Sequence, residues 1–244
     1  MQSKRTRLDR FISQHTGINR KDVRPMLAQG RLKIDGSLAT DIHQFVDEFT
    51  HVMLDEKTLQ AKTPVYIMMN KPTGVVSATK DNKHTTVIDL LKKTVNKNET
   101  ECLDIDNLHI VGRLDFNTSG LLLLTNDGRW SRLLTTPEQK IAKLYQVTLA
   151  NSINKDYIDA FAAGMYFPFE DITTRPATLE IISSHIATVT LVEGRYHQIK
   201  RMFGRFQNPV VELHRIAIGN LTLDVGMEHG DWRELVEQEV KSFL

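Results

Sequence analysis

The chain has 244 residues, 41% of them hydrophobic, enough to bury a sizeable core in one or two domains. No run approaches the roughly 18 apolar residues of a membrane span, and no apolar segment follows the basic start MQSKRTRLDR as in a signal peptide, so a soluble, cytoplasmic protein with no membrane partner is expected. A single cysteine, Cys102, excludes an internal disulfide framework and a cysteine-rich zinc site, and the net charge of +1 conceals a basic block in residues 1–34, where nine Lys and Arg against Asp9 and Asp22 give +7.

Over residues 35–60 the balance reverses, with six acids against Lys57 alone. The basic charges are interleaved with Leu8, Phe11, Ile12, Val23, Met26 and Leu27 at helical spacing. That pattern suits a folded basic face for a polyanion better than a disordered tail. A first helix is predicted from Arg7 to about Gln14. TGINRKDV interrupts it, and Asn19 is a candidate N-cap for a second helix toward Gln29. Pro25 is tolerated only near a first turn and so limits how early that helix can start, while Gly30 ends it. RLKIDGSLA, with Leu32 and Ile34 flanking Lys33 and Asp35-Gly36 as the turn, predicts a small hairpin. The polar, aperiodic EKTLQAKTP places a linker between Thr58 and Thr63, dividing the chain into domains 1–60 and 61–244.

The second domain opens on VYIMMNKPTGVVSAT, a strand entering a Pro-Gly turn. Further short strands are predicted at LLLLT, KLYQVTL, ATLEII, IATVTLV and VVELHRIAIGNLTL. NKDYIDAFAAGM and GRYHQIKRMFGRF carry apolar residues at 157, 158, 161, 162 and at 196, 199, 203, 206, which are helical spacings. LKKTVNKNETE reads as an exposed loop. Clustered strands with a few helices imply an α+β fold with a mainly antiparallel sheet.

The thirteen glycines form no GxG and no GxxxxGK[ST], which argues against a dinucleotide or nucleoside triphosphate site. The nine histidines form no HExxH, and no G-x-S-x-G elbow is present. GRLDFNTSGLLLLTNDG is the informative stretch, because it sets Arg113 and Asp115 against an apolar strand, where a carboxylate needs a cation or hydrogen bonds. From pattern alone Asp115 is open between a turn former assisted by Thr118, a salt bridge to Arg113, and a reactive group. In EGRYHQIKRMFGRF a helix from about Arg195 turns Tyr196, Ile199, Phe203 and Phe206 to the core. Lys200 then falls at the edge of the stripe, within reach of a half-buried carboxylate or snorkelling at the surface, and Arg201 and Arg205 face outward toward phosphates.

NKPTG at 70–74, GRLDFNTSGLLLLTNDG at 112–128, KLYQVTL at 143–149 and EGRYHQIKRM at 193–202 resemble the successive motifs of the RsuA branch of RNA pseudouridine synthases. RLDRFISQHTGINRKDVRPMLAQGRLKIDG resembles the S4-type RNA-binding module that precedes the catalytic domain in that branch. The resemblance implies that Asp115 is the nucleophile that lets the target uracil detach, turn and rejoin through carbon. It implies that Tyr145 stacks on the flipped base, that Lys200 pairs with the catalytic carboxylate, and that Arg113 holds the flipped nucleotide. RNA contacts are expected on Arg7, Arg20, Lys21, Arg24 and Arg31 in the small module, and on Lys71, Arg113, Arg195, His197 and Arg201 in the catalytic domain. Isomerisation has no net redox change and no group donor, so neither cofactor nor metal is expected. Base extrusion can be offset in part by stacking, worth roughly 1 to 3 kcal/mol per base.

The ending at EQEVKSFL, without a basic tail, favours a uridine of 16S rRNA, position 516 in the pattern of this branch, over a 23S site. A small-subunit assembly intermediate is the expected partner and a monomer the expected state. Two other readings stand beside this one. A noncatalytic ribosome-assembly protein would carry a broken constellation. A glycoside hydrolase pairing Asp106 with Asp115 would need no basic N-terminal module.

Overall fold

The protein is described here from a computed structural model, in which residues 5–94 and 103–243 are described. Cys102 and residues 95–101 of the stretch expected to be an exposed loop lie outside them. The chain divides into two compact units between Pro64 and Val65.

The first unit runs β1 (Thr6–Arg7), α1 (Leu8–Thr16), α2 (Arg20–Ala28), β2 (Leu32–Ile34), β3 (Ser37–Leu38), β4 (Phe45–Val46), β5 (Val52–Leu54) and β6 (Lys57–Gln60). Strands β3-β2-β5-β6 form an antiparallel sheet and β1 pairs with β4. Leu8, Phe11, Ile12 and Val23 from the helices share one core with Leu32, Ile34, Val52 and Leu54. The turn between β2 and β3 has positive φ at both Asp35 (48°) and Gly36 (80°), the twist that a two-residue hairpin requires.

Two expectations are corrected here. Helix α2 begins at Arg20, five residues before Pro25, because Pro25 is exposed and its ring deprives the helix of only one hydrogen bond, to the Lys21 carbonyl. Thr58–Gln60, expected as linker, belong to edge strand β6, and the Gln60 amide donates to the carbonyls of Asp47 and Thr50 at 2.6 and 2.7 Å. A polar edge strand carries no apolar alternation, so nothing in its composition marks it.

The second unit runs β7 (Tyr66–Lys71), α3 (Val87–Thr94), β8 (His109–Val111), β9 (Ser119–Thr125), α4 (Gly128–Thr135), β10 (Lys143–Leu149), α5 (Asp156–Ala163), β11 (Tyr166–Phe167) and β12 (Ile172–Thr173). It continues through β13 (Thr178–Ile181), β14 (Ile186–Leu191), α6 (Gln198–Gly204), β15 (Val210–Ile218), β16 (Leu221–Thr222), β17 (Trp232–Glu234) and α7 (Glu237–Lys241). The main sheet has the order β13-β14-β10-β15-β9-β7-β17, with β16 on β15 and β8 on β9. All its pairings are antiparallel except β15 with β9, so the expected mainly antiparallel α+β fold holds.

Strand β9 is an unbroken apolar run because it is covered on both faces. Leu122 and Leu124 pack with Ile67, Met69 and the α3 residues Val87, Ile88 and Leu91. Leu121 and Leu123 pack on the opposite side with Met68, Trp130 and Leu134 of α4, and Val240 of α7. Leu91–Thr94, expected as loop, complete α3, whose apolar face the flanking lysines obscure. A third cluster joins β10, β13 and β14 to α5 and α6 through Val147, Leu179, Val189, Phe161 and Phe203. Tyr145 packs against both this cluster and the α3 cluster, at their junction.

Candidate active site

Residues 112–118 connect β8 to β9 and carry Arg113 and Asp115. The loop is braced from below by Lys71, the last residue of β7. Its Nζ donates to the carbonyls of Pro72 at 2.9 Å, Thr118 at 2.8 Å and Asp115 at 3.2 Å. The Thr118 amide also donates to the Asp115 carbonyl, Ser77 brackets Leu114 through both backbone groups, and the Gly74 amide donates to Phe116. Lys71 has no exposed surface. Burial pushes its ammonium down to about 8, with the nearby Asp115 charge opposing the shift and Arg215 adding to it. The expectation that Lys71 contacts RNA is therefore corrected: it is an internal brace, sealed beneath the loop.

The strand behind the loop is held by an unusual crossing. Gly120 pairs in parallel register with Arg215, has φ +106°, and an added Cβ would lie 2.3 Å from the Arg215 carbonyl oxygen. Only glycine lets β15 approach β9 this closely. The buried Arg215 side chain then reaches under the site, with Nε donating to the Leu121 carbonyl at 2.8 Å and Nη1 to the Tyr145 hydroxyl at 3.4 Å.

Arg113, Asp115, Tyr145, Arg195, His197 and Lys200 line one narrow cleft of about 100 Å³. These six residues come from three separate stretches of the chain. The Asp115 carboxylate is one-third exposed and faces His197, whose Nε2 lies 3.5 Å from Oδ2. Among the described residues no ion pair joins Lys200 to Asp115, which corrects the expected pairing. The cause is where α6 starts. Expected from about Arg195, it begins at Gln198 because His197 is left-handed (φ 49°), and that kink brings the imidazole to the carboxylate while Lys200 stays on the cleft wall.

The same late start places Tyr196 at 72% exposure, stacked on His197 with ring centroids 3.9 Å apart, and the α6 core stripe is Ile199, Met202 and Phe203. Arg201, expected to face phosphates, is held by both oxygens of Glu170 at 2.5 and 2.6 Å and lies over the Phe167 ring. Arg205 donates to the Tyr166 carbonyl. Arg195 keeps its place in the cleft while its Nε donates to Glu193 at 3.2 Å.

In the first unit Arg7 and Arg20 converge on the buried Asp9 carboxylate, each at 2.9 Å, yet keep 39% and 54% of their side chains exposed. Arg31 pairs with Asp55 at 2.7 Å, whereas Lys21 and Arg24 are exposed. Asp106, the second carboxylate of a hydrolase pair, is at the surface on Lys92 at 2.6 Å. Among the described residues no group of three His, Cys, Asp or Glu side chains could hold a metal ion, and no helix is long and apolar enough to cross a membrane.

Two contributors escaped the sequence reading. The role of Lys71 depends on a loop far along the chain. Arg215 had a signal, since it occupies an inward position in the alternation Leu213, Arg215, Ala217 of β15, where a charge calls for a reason.

Comparison with known proteins places this fold and cleft among the RNA-modifying isomerases. The RNA pseudouridylate synthase family matches residues 65–204, and the chain belongs to that family, in its RsuA-type branch. It is 47% identical over 237 residues to the ribosomal small subunit pseudouridine synthase A of Pseudomonas aeruginosa, covering 97% of this chain and 99% of that one. The protein of the same name from Escherichia coli K12 is 39% identical over 239 residues, covering 98% and 100%. A crystal structure of a pseudouridylate synthase superposes with a TM-score of 0.68 at 34% identity, over 98% of this chain and 99% of the other.

Proposed function

We propose that this chain converts one uridine of 16S rRNA, at position 516, to pseudouridine, and that Asp115 is the group that starts the reaction. The observation that carries this reading is the Asp115 carboxylate, presented into a cleft by a loop that Lys71 pins at two carbonyls, with Tyr145 on the wall and His197 3.5 Å away. The name shared by the two relatives, which specifies the small ribosomal subunit, supports the substrate.

In the reaction the N1–C1′ bond breaks, the uracil turns, and C5 bonds to C1′. C5 releases its proton and N1 gains one, so atoms and electrons balance without an added reagent. Asp115 acts at the sugar-base junction. The ring of Tyr145 offers a stacking face that offsets extrusion of the base, and Arg113 holds the flipped nucleotide. The first unit acts as an S4-like module whose exposed Lys21 and Arg24, with the partly exposed Arg7, Arg20 and Arg31, grip the phosphate backbone. The substrate is an assembly intermediate of the small subunit, because extruding a base needs local freedom that a finished particle restricts.

The test is a pseudouridine map of 16S and 23S rRNA from cells with and without the protein, paired with Asp115→Asn in vitro. One 16S position should disappear with the protein, and the variant should bind RNA while releasing no tritium from 5-³H-uridine RNA. A lost site in 23S rRNA, or full turnover by Asp115→Asn, would refute the reading.

A further inference from the structure

Beside the Asp115 cleft lies a second one of about 360 Å³, sharing Arg113, Tyr145 and Arg195 with it. Its further walls add Lys143, Arg175 and Arg215, and its one acid is Glu193. The charge of Glu193 is already engaged. Oε1 accepts from the Arg175 amide at 2.9 Å and the Gln198 amide group at 2.6 Å, and Oε2 accepts from Arg195 Nε at 3.2 Å.

That leaves Arg113, Lys143, Arg175 and Arg215 with no carboxylate of this cleft to pair with, and Lys143 and Arg215 are the two set inside it. Lys143 and Tyr145 are two apart on β10 and so share a face, and Arg215 is the register partner of Tyr145 on β15. Among the described residues, the Lys143 ammonium takes part in no hydrogen bond or ion pair, and the buried Nη2 of Arg215 has no acceptor. Burial, and then the charge of Arg215, push the Lys143 pKa down. A buried donor without a partner and two facing like charges are each unfavourable, and an anion between them relieves both.

The geometry points to a phosphate subsite: Lys143 and Arg215, with Arg175 at the rim, hold a backbone phosphodiester of a nucleotide adjoining the target uridine. This rests on the proposed function, because continuity with the Asp115 cleft is what makes the anion part of the RNA. A phosphodiester fits the chemistry, being singly charged, with two free oxygens that a guanidinium and an ammonium can share. Arg215 also donates to the Tyr145 hydroxyl at 3.4 Å, so the subsite and the wall on which the base stacks share a residue.

The test is a cycle between side chain and phosphate. Full-length protein carrying Asp115→Asn, which cannot turn over, is titrated with 16S oligonucleotides containing the target uridine. Each oligonucleotide carries one uncharged methylphosphonate at a linkage on either side of that uridine. Neutralising one particular linkage should weaken binding about tenfold, Lys143→Gln should weaken it similarly, and the two together should cost no more than either alone. Lys143→Gln should also flatten the salt dependence by about 0.7 to 0.9 in log-log slope. Arg175→Gln, at the rim, should couple to the same linkage and guards against a misfolded Lys143 variant. Losses that multiply independently, or affinity unchanged by both variants, overturn the subsite. Tritium release by the unaltered protein on the unmodified oligonucleotide is scored separately, so failure of the proposed function shows there and failure of the subsite shows in the cycle.

Discussion

Replacing Lys71 with methionine tests the brace beneath the catalytic loop. Methionine keeps the apolar stem and removes the ammonium. The buried carbonyl of Thr118 and the part-buried carbonyls of Pro72 and Asp115 then lose their donor, at up to about 2 kcal/mol each, or at most about 6 in all. Against this, the variant escapes the cost of holding a buried charge. The fall of the Lys71 pKa from 10.5 to about 8 corresponds to about 3 kcal/mol at roughly 1.4 per unit. The net expectation is a loss of up to about 3 kcal/mol, or a fall in melting temperature of up to about 10 °C for a unit of this size.

The pH dependence has a definite sign. Below about pH 8 both folded and unfolded wild-type chains hold the Lys71 proton, and the full cost of the buried charge is present. Between about 8 and 10.5 only the unfolded chain holds it, so the wild type gains stability as pH rises and the variant does not. Urea unfolding at pH 7.5 and pH 10 should therefore show a wider gap at the higher pH, by up to about 3 kcal/mol. Tritium release should fall at least about tenfold, because the loop that presents Asp115 is no longer held in one geometry. A variant as stable and as active as wild type, or a gap that does not change with pH, refutes the brace.

Gly120→Ala sets a Cβ 2.3 Å from the Arg215 carbonyl at φ +106°, and backbone against backbone cannot yield, so a loss above about 4 kcal/mol is expected; a melting temperature within a few degrees of wild type would contradict this. Asp9→Asn removes the charge on which Arg7 and Arg20 converge. Burial raises the Asp9 pKa, and the two guanidiniums and the Arg10 amide outweigh it, so the net shift is downward. The stabilisation is therefore full at neutral pH and fades as pH falls through the carboxylate range, and at pH 7 the variant should lower the opening free energy of α1 read by hydrogen exchange by about 1 to 2 kcal/mol. Lys21→Gln with Arg24→Gln should reduce the salt slope of RNA binding by about 0.7 to 0.9 per lost phosphate contact. An unchanged slope would remove these residues from the interface.

Local chemistry made much of the molecule legible. The Asp35-Gly36 turn, the closing Gly30 and the uninterrupted Leu121–Leu124 run each state their structure within a few residues, because a turn type or a two-sided burial leaves a compositional mark. Helix α4 is harder to read from sequence although Asp127 caps it by accepting from the amides of Arg129 and Trp130, since a Gly at its first position masks the pattern. Strand β17 was missed because three residues with Trp232 and Arg233 show no alternation until they pair with β7.

The candidate site divides the same way. The resemblance to the RsuA branch picked out Arg113, Asp115, Tyr145, Arg195, His197 and Lys200, and the fold brings all six to one cleft. Sequence could not assign their partners. A lysine at the end of one strand became a buried brace, a left-handed His197 took the place beside Asp115 expected of Lys200, and Arg201 turned to Glu170. The sequence by itself determined the class of chemistry through its resemblance to a known family, because the motifs that carry that resemblance are short local stretches. Only the tertiary structure decided which side chain meets which acceptor, because that depends on segments meeting across 44 to 94 positions of chain and on a helix start three residues later than its pattern suggests.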